Sequence, residues 1–264
     1  MKITGRTRIY GIVADPIDHV KAPEVMQRVF ERHAVDAVLV PIHVSPQGLP
    51  AMIAGLRQMQ NFGGFVATIP HKSAMLELCD EVDEHARLIG AANIVRREAD
   101  GRMVGAMLDG IGFVTGLRQA GIEPAGRHVW LCGAGGASSA IAFALAEAGI
   151  SHLTISNRTK AKAEDLAARV RAAFPQVVTS TEEANFEKHD LVVNGTSLGM
   201  RPEDPLPLDA SRLHAGQIVA EVIMEPTMTP LLQAAQAAGC RIQLGHPMLE
   251  TQIELMARHM GAIP

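Results

Sequence analysis

The chain has few aromatic residues, few cysteines and no excess of one charge. Aromatics make up 3% of its 264 residues, with one tryptophan and one tyrosine. That leaves few rings on which bases could stack. The 28 acids and 24 bases give a formal net charge of −4 and are interspersed. No basic stripe marks a nucleic-acid partner. No apolar run reaches the ~18 residues of a membrane span. The start, Met1-Lys2-Ile3-Thr4-Gly5-Arg6, lacks the apolar segment of a signal peptide. A cytoplasmic location is therefore expected. The three cysteines, Cys79, Cys132 and Cys240, are far apart and show no metal-binding spacing. Each is read as a small core residue in a reducing compartment. The eleven histidines include no H-E-x-x-H pair, so no metal site is expected.

What is present is a core. With 47% hydrophobic residues, the chain has enough apolar material for two compact domains. Ile9 to Val13 is a strand, followed by a loop through His19. Pro23 sits in the first turn of a helix carrying Val25, Met26, Val29 and Phe30. Ala37 to Val44 is a strand, Leu49 to Met59 a helix broken by Gly63-Gly64, and Phe65 to Thr68 a third strand. This β-α-β-α-β order favours parallel strands joined by right-handed crossovers. Helical material runs from Lys72 to about Ile89. Ala92 to Arg96 and Met103 to Met107 flank an Asp100-Gly101 turn, which predicts a hairpin. The first domain is thus expected to be α/β with a mixed, mostly parallel sheet.

A second pattern begins after the polar link Gly121 to Arg127. His128 to Cys132 is a strand, Gly133-Ala134-Gly135-Gly136-Ala137-Ser138 a glycine turn, Ala137 to Ala148 a helix, and His152 to Ser156 a strand. Strand, glycine turn, helix and strand together predict a Rossmann-type nucleotide site. Its glycines let the backbone approach a pyrophosphate at the helix N-terminus. An NAD site usually carries an acid at the end of the second strand. Here Asn157-Arg158-Thr159-Lys160 stands instead, with Lys162 just beyond. Two cations without a carboxylate favour a 2′-phosphate, so NADP is the expected cofactor, with NAD still open.

The stretch Ala67-Thr68-Ile69-Pro70-His71-Lys72 ends the third strand, where open α/β folds carry chemistry. Taken alone, Lys72 is equally a solvated lysine at a helix start. Asp109, before Gly110-Ile111-Gly112, is by local sequence an N-cap. Set beside the glycine turn, the two suggest a lysine–aspartate pair facing a nucleotide cofactor.

With these stretches in hand, the chain resembles the shikimate/quinate dehydrogenase family over nearly its whole length. The matching stretches are Thr68 to Lys72, Ile89 to Asn93, Asp109 to Gly112, Gly133 to Ala137, Asn157 to Thr159, Asn194 to Met200, and Met248-Leu249-x-x-Gln252. The resemblance implies a substrate domain of residues 1–108 with 245–264, a Rossmann dinucleotide-binding domain of residues 109–244, and a cleft between them. It implies Lys72 and Asp109 as the catalytic pair, and Thr68, Asn93 and Gln252 as holders of substrate hydroxyls. It assigns the cofactor to Gly133, Ala134, Gly135, Gly136, Ala137, Asn157, Arg158, Thr159, Lys160 and Lys162, with Val222 and Gly245 bordering the nicotinamide. The implied partner is a small hydroxy acid, and a homodimer stays open. The implied activity is reversible hydride transfer between NADP and a ring secondary alcohol of the shikimate kind.

The chain also departs from the family. Val20 and Ala22 stand where the family usually has serines that grip the substrate carboxylate. Val66, Met107 and Met224 replace polar residues as well. Two alternatives follow: a dehydrogenase for a related hydroxy acid with weak shikimate activity, or a non-catalytic NADP-binding sensor. Retention of both Lys72 and Asp109 argues against the sensor.

Overall fold

The computed structural model describes residues 3–181 and 186–264. Met1 and Lys2, the first residues of the segment expected to lack a signal peptide, lie outside the described residues. The chain divides into two compact units, Met1–Leu108 with Gln252–Pro264, and Asp109–Thr251.

In the first unit, β1 (Arg8–Ala14), α1 (Ala22–Arg32), β2 (Ala37–His43), α2 (Leu49–Gln58) and β3 (Phe62–Ala67) follow in order. β1 pairs in parallel with both β2 and β3. α1 buries Ala22, Met26, Val29 and Phe30 along one face, and Pro23 enters its first turn without losing a needed hydrogen bond. Pro41 lacks an N–H, and β2 lies at the sheet's edge, where that donor is dispensable.

The segment Lys72–Ile89 is not one helix, as its composition suggests. It forms a 3₁₀ turn (Lys72–Ala74), then α3 (Met75–Leu78), β4 (Glu81–Val82) and α4 (Glu84–Ile89). Two aspartates break it. The Asp80 carboxylate accepts from the Met103 N–H at 2.7 Å and pairs with Arg57. Asp83 caps α4 by accepting from the Ala86 N–H at 2.6 Å. β5 (Ile94–Arg97) and β6 (Met103–Ala106) form the expected hairpin, and β5 runs antiparallel to β3. The sheet order is β2-β1-β3-β5-β6-β4. It is mixed and mostly parallel, as the sequence indicated.

The second unit opens with α5 (Asp109–Gln119). It continues through β7 (His128–Cys132), α6 (Gly136–Glu147), β8 (His152–Ser156), α7 (Lys160–Ala173) and β9 (Val178–Ser180). Then come β10 (Leu191–Asn194), β11 (Ile218–Glu221), α8 (Pro230–Ala237), β12 (Arg241–Gln243) and α9 (His246–His259), within which the division between units falls. All six strands are parallel, in the order β12-β11-β10-β7-β8-β9. The short edge strand β9 was not legible in the sequence. α5 lies directly on α6, because a Cβ at Gly110 would overlap the Ala140 carbonyl oxygen. Among the described residues, no helix is long and apolar enough to cross a membrane.

Candidate functional site

In the first unit, the C-terminal ends of β1, β2, β3 and β6 and the start of β5 share one edge, as the strand directions require. Backbone bonds lace the loops there together. The Thr68 N–H donates to Val13 O at 3.0 Å, and the Asp15 N–H donates to Ile69 O at 3.1 Å. His71 is buried and donates from Nε2 to Val44 O at 2.9 Å. Burial lowers its pKa and keeps it neutral. The carbonyl of half-buried Lys72 accepts from the Ala92 N–H at 3.0 Å. Lys72 is thus tied to the residue before Asn93.

Asn93 is buried and fixed on both sides of its amide. Its Oδ1 accepts from the Leu108 N–H at 2.8 Å, and its Nδ2 donates to Gln252 Oε1 at 3.3 Å. Thr68, Lys72, Asn93 and Gln252 therefore sit on one connected frame. The same edge carries the apolar departures. Ala22, Val66 and Met107 are buried, and Val20 is half-buried. Next to Val20, His19 holds a buried Nδ1 with no hydrogen-bond partner among the described residues. Burial lowers the His19 pKa and favours the neutral ring.

In the second unit the sheet order reverses between β7 and β10, so the loops after these strands leave side by side. Gly133 has φ of +109°, a left-handed conformation that suits glycine. Gly135 is the N-cap of α6, no side chain caps that helix, and a Cβ there would meet nothing within 4 Å. No capping side chain takes up the first-turn N–H groups, which lie at the positive end of the helix dipole, and this fits a pyrophosphate. Beyond β8, Asn157 Nδ2 donates to Thr159 O at 2.9 Å and shapes the start of α7. Arg158, Lys160 and Lys162 are exposed there, which fits a ribose phosphate. Asp109 is 4% exposed, at the head of α5. Val222 follows β11, and Gly245 precedes α9.

One group at this edge was passed over in the motifs. Glu221, the last residue of β11, is buried and hydrogen-bonded to Asn194, Thr229 and two backbone N–H groups. Its signal in the sequence is a lone carboxylate inside the apolar run Ile218 to Ile223.

The chain is similar to known proteins along nearly its whole length. The family described as shikimate dehydrogenase substrate binding domain matches residues 12–95, and shikimate / quinate 5-dehydrogenase matches residues 118–199. Shikimate dehydrogenase (NADP(+)) of Rubrobacter xylanophilus is 38% identical over 268 residues, covering 100% of this chain and 94% of that protein. The crystal structure of shikimate 5-dehydrogenase from Thermus thermophilus in complex with NADP(H) and shikimate superposes with a TM-score of 0.86. It is 30% identical and covers 97% of this chain and 95% of its own. The ligand-free 5-ketofructose reductase of a Gluconobacter species superposes with a TM-score of 0.82 at 32% identity, covering 97% of this chain and 93% of its own.

Proposed function

The chain belongs to the shikimate/quinate dehydrogenase family, and from that premise we propose how its residues divide the work of an NADP-dependent dehydrogenase acting on a ring secondary alcohol of the shikimate kind. NADP, when bound, supplies or accepts the hydride. Lys72 takes the alcohol proton during oxidation and returns it during reduction. Asp109 accepts a hydrogen bond from the reacting hydroxyl. Thr68, Asn93 and Gln252 hold the other substrate hydroxyls. The observation that supports this division most is the shared frame that ties the Lys72 carbonyl to Ala92 and locks neighbouring Asn93 between Leu108 and Gln252.

On the cofactor side, Gly133, Ala134, Gly135, Gly136 and Ala137 receive the pyrophosphate. Asn157, Arg158, Thr159, Lys160 and Lys162 receive the ribose phosphate, and Val222 and Gly245 border the nicotinamide. The test is the reduced-nicotinamide absorbance that develops when NADP is mixed with shikimate or quinate. No turnover of any ring hydroxy acid in either direction would sink the reading. The reaction is placed in the cytosol, in keeping with free Cys79, Cys132 and Cys240. Recovery of the activity only from an oxidising compartment would contradict that placement.

A second reading is favoured by the apolar residues at the substrate edge. Val20, Ala22, Val66 and Met107 offer no donor to a carboxylate. The similar 5-ketofructose reductase has, by its name, a keto sugar without a carboxylate. On this reading the better substrate is an uncharged polyhydroxy ketone, reduced with NADPH. The ratio of kcat/KM for such a ketone to that for 3-dehydroshikimate decides between the two.

A further inference from the structure

Glu221 has 0% exposure, yet among the described residues no lysine, arginine or histidine answers its charge. Four donors occupy its lone pairs instead. The N–H groups of Val222 (2.8 Å) and Ile223 (3.2 Å) donate to Oε1. Asn194 Nδ2 (3.0 Å) and Thr229 Oγ1 (3.1 Å) donate to Oε2. This donor set suits the ionised carboxylate. A proton on Oε1 would face two backbone N–H groups, and one on Oε2 would face the Asn194 amide hydrogens. Burying a charge without a counter-ion is unfavourable. Stability therefore does not account for the ionised form.

Each donor belongs to a different part of the same sheet edge. Asn194 ends β10 and is the register partner of Glu221. Its Oδ1 accepts from Thr196 N (3.0 Å) and Thr196 Oγ1 (2.7 Å), and its Nδ2 also donates to Leu198 O (3.0 Å). These bonds shape the loop Gly195 to Gly199. The Gly195 carbonyl accepts from Ser138 Oγ at 2.8 Å, which seats that loop on the first turn of α6. The Val222–Ile223 turn presses on Gly245, where a Cβ would overlap the Ile223 carbonyl oxygen. Thr229 is the N-cap of α8 and accepts from the Leu232 N–H at 3.3 Å.

We infer that Glu221 is a positioning residue for the nicotinamide end of the cofactor: its carboxylate holds the loop after β10 and the turn after β11 in their binding arrangement, and its protonation releases them. The inference rests on the assignment of Val222 and Gly245 to the nicotinamide proposed above.

Burial raises the Glu221 carboxyl to about 7 against the pull of its four hydrogen bonds. Its titration thus falls near neutral pH. Cys132 on β7 is the titratable neighbour, and burial, with the Glu221 charge adding, pushes its thiol up to about 12, so it stays protonated. Among the described residues, β10 presents Asn194 to Glu221, the cap of α8 presents Thr229, and β12 pairs with β11 through uncharged Gln243. Asp204 accepts from the N–H groups of Arg201 (3.0 Å) and Gly199 (3.1 Å), which hold its carboxyl below the usual range. Glu225 is exposed in the turn that leads to α8.

The experiment compares two probes on the intact chain by titration calorimetry: NADP, and 2′-phospho-ADP-ribose, which keeps the pyrophosphate and both riboses but lacks the nicotinamide ring. Both probes carry the same 2′-phosphate, so its titration cancels in the comparison. Between about pH 8 and about pH 6, wild-type affinity for NADP should fall about fivefold more than affinity for 2′-phospho-ADP-ribose. Glu221→Gln should bind 2′-phospho-ADP-ribose like wild type, bind NADP several-fold more weakly at the higher pH, and lose the extra pH dependence. Equal NADP affinity in the two proteins at both pH values would overturn the inference. If the variant does not fold, the wild-type profiles decide alone, and parallel pH profiles for the two probes would overturn it. Failure of wild type to bind NADP at either pH would instead remove the cofactor reading on which the inference stands.

Discussion

The two sheet edges use different materials. At the first unit's edge, the groups assigned to substrate are side chains: Lys72, Thr68 and Asn93, whose backbones are hydrogen-bonded to neighbouring segments, and Gln252, which is bonded to the Asn93 amide. At the second unit's edge, the groups assigned to the pyrophosphate are N–H groups of the main chain at an uncapped helix start. A site made of backbone depends on the fold and on a few glycines. A site made of side chains can be altered one substitution at a time. The sequence carries the same contrast: the glycine turn keeps Gly133 and Gly135, with small Ser138 where a third glycine often stands, whereas Val20, Ala22, Val66 and Met107 are apolar. Specificity for the ring compound can drift while the cofactor stays the same.

The harshest trial of this contrast is Lys72→Met. Removing a proton acceptor typically costs ~10²–10⁴ in rate. Turnover should fall by that much while NADP affinity, measured by calorimetry, stays within about twofold. Near-wild-type kcat in the variant would show that the side chain at that edge is dispensable.

Glu221 provides the next test, because it is a side chain doing duty at the backbone edge. Its folded pKa of about 7 lies above the ordinary glutamate value of 4.5. A raised carboxyl pKa means that the folded state binds more protons than the unfolded state between those values. The stability it contributes is full below about 4.5 and is lost as pH rises through about 7. The span corresponds to about 3 kcal/mol at most. Denaturant unfolding of Glu221→Gln should show a correspondingly flatter pH dependence over that window. Parallel stability curves for the two proteins would contradict the shift.

Arg158→Ala asks how much of cofactor choice rests on exposed cations rather than on the glycine turn. Charge-assisted contacts to the 2′-phosphate are worth about 1.5–3 kcal/mol each. The variant should lose most of its preference for NADP over NAD, chiefly through KM for NADP. Equal kcat/KM for the two cofactors in the unaltered protein would refute the assignment.

The mildest change is expected from Val20→Ser combined with Ala22→Ser. Two hydroxyls far from the reacting carbon bind ground and transition states alike, so KM for shikimate should improve by at least about tenfold with little change in kcat. An unaltered protein with low micromolar KM, unimproved by the serines, would mean that other groups hold the carboxylate. His19, whose buried Nδ1 has no hydrogen-bond partner among the described residues, would then be the first to replace.

Much of the fold was legible because its signals are local and repeated. The β-α-β alternation, the Asp100-Gly101 hairpin and the strand-glycine-helix unit each announce themselves within about a dozen residues. What was lost depends on distant partners. Lys72–Ile89 has helical composition throughout, and it is broken where Asp80 pairs with distant Met103 and Arg57, just before Asp83 caps α4. β9 has three residues, the first of them exposed, and owes its existence to β8. The candidate site divides the same way. Lys72 and the glycine turn stand out by motif, whereas Glu221 is one acid in an apolar strand until Asn194, Thr229 and Val222 are seen to converge on it.

Gly110 bears on how this chain could be recombined with others. Its missing side chain lets α5 lie backbone to backbone on α6, beside the Ala140 carbonyl. Asp109 and the glycine turn are therefore mounted on one pair of fused helices. A chimera that grafts this cofactor unit onto a foreign substrate domain inherits the aspartate with it if the crossover falls before residue 109. A crossover after α5 would instead have to match a foreign helix to Ala140 and Ala144 with no side chain at the contact. Gene fusion or domain shuffling at the earlier boundary would deliver half of the proposed catalytic pair ready placed, and leave only the lysine to be supplied by the new host.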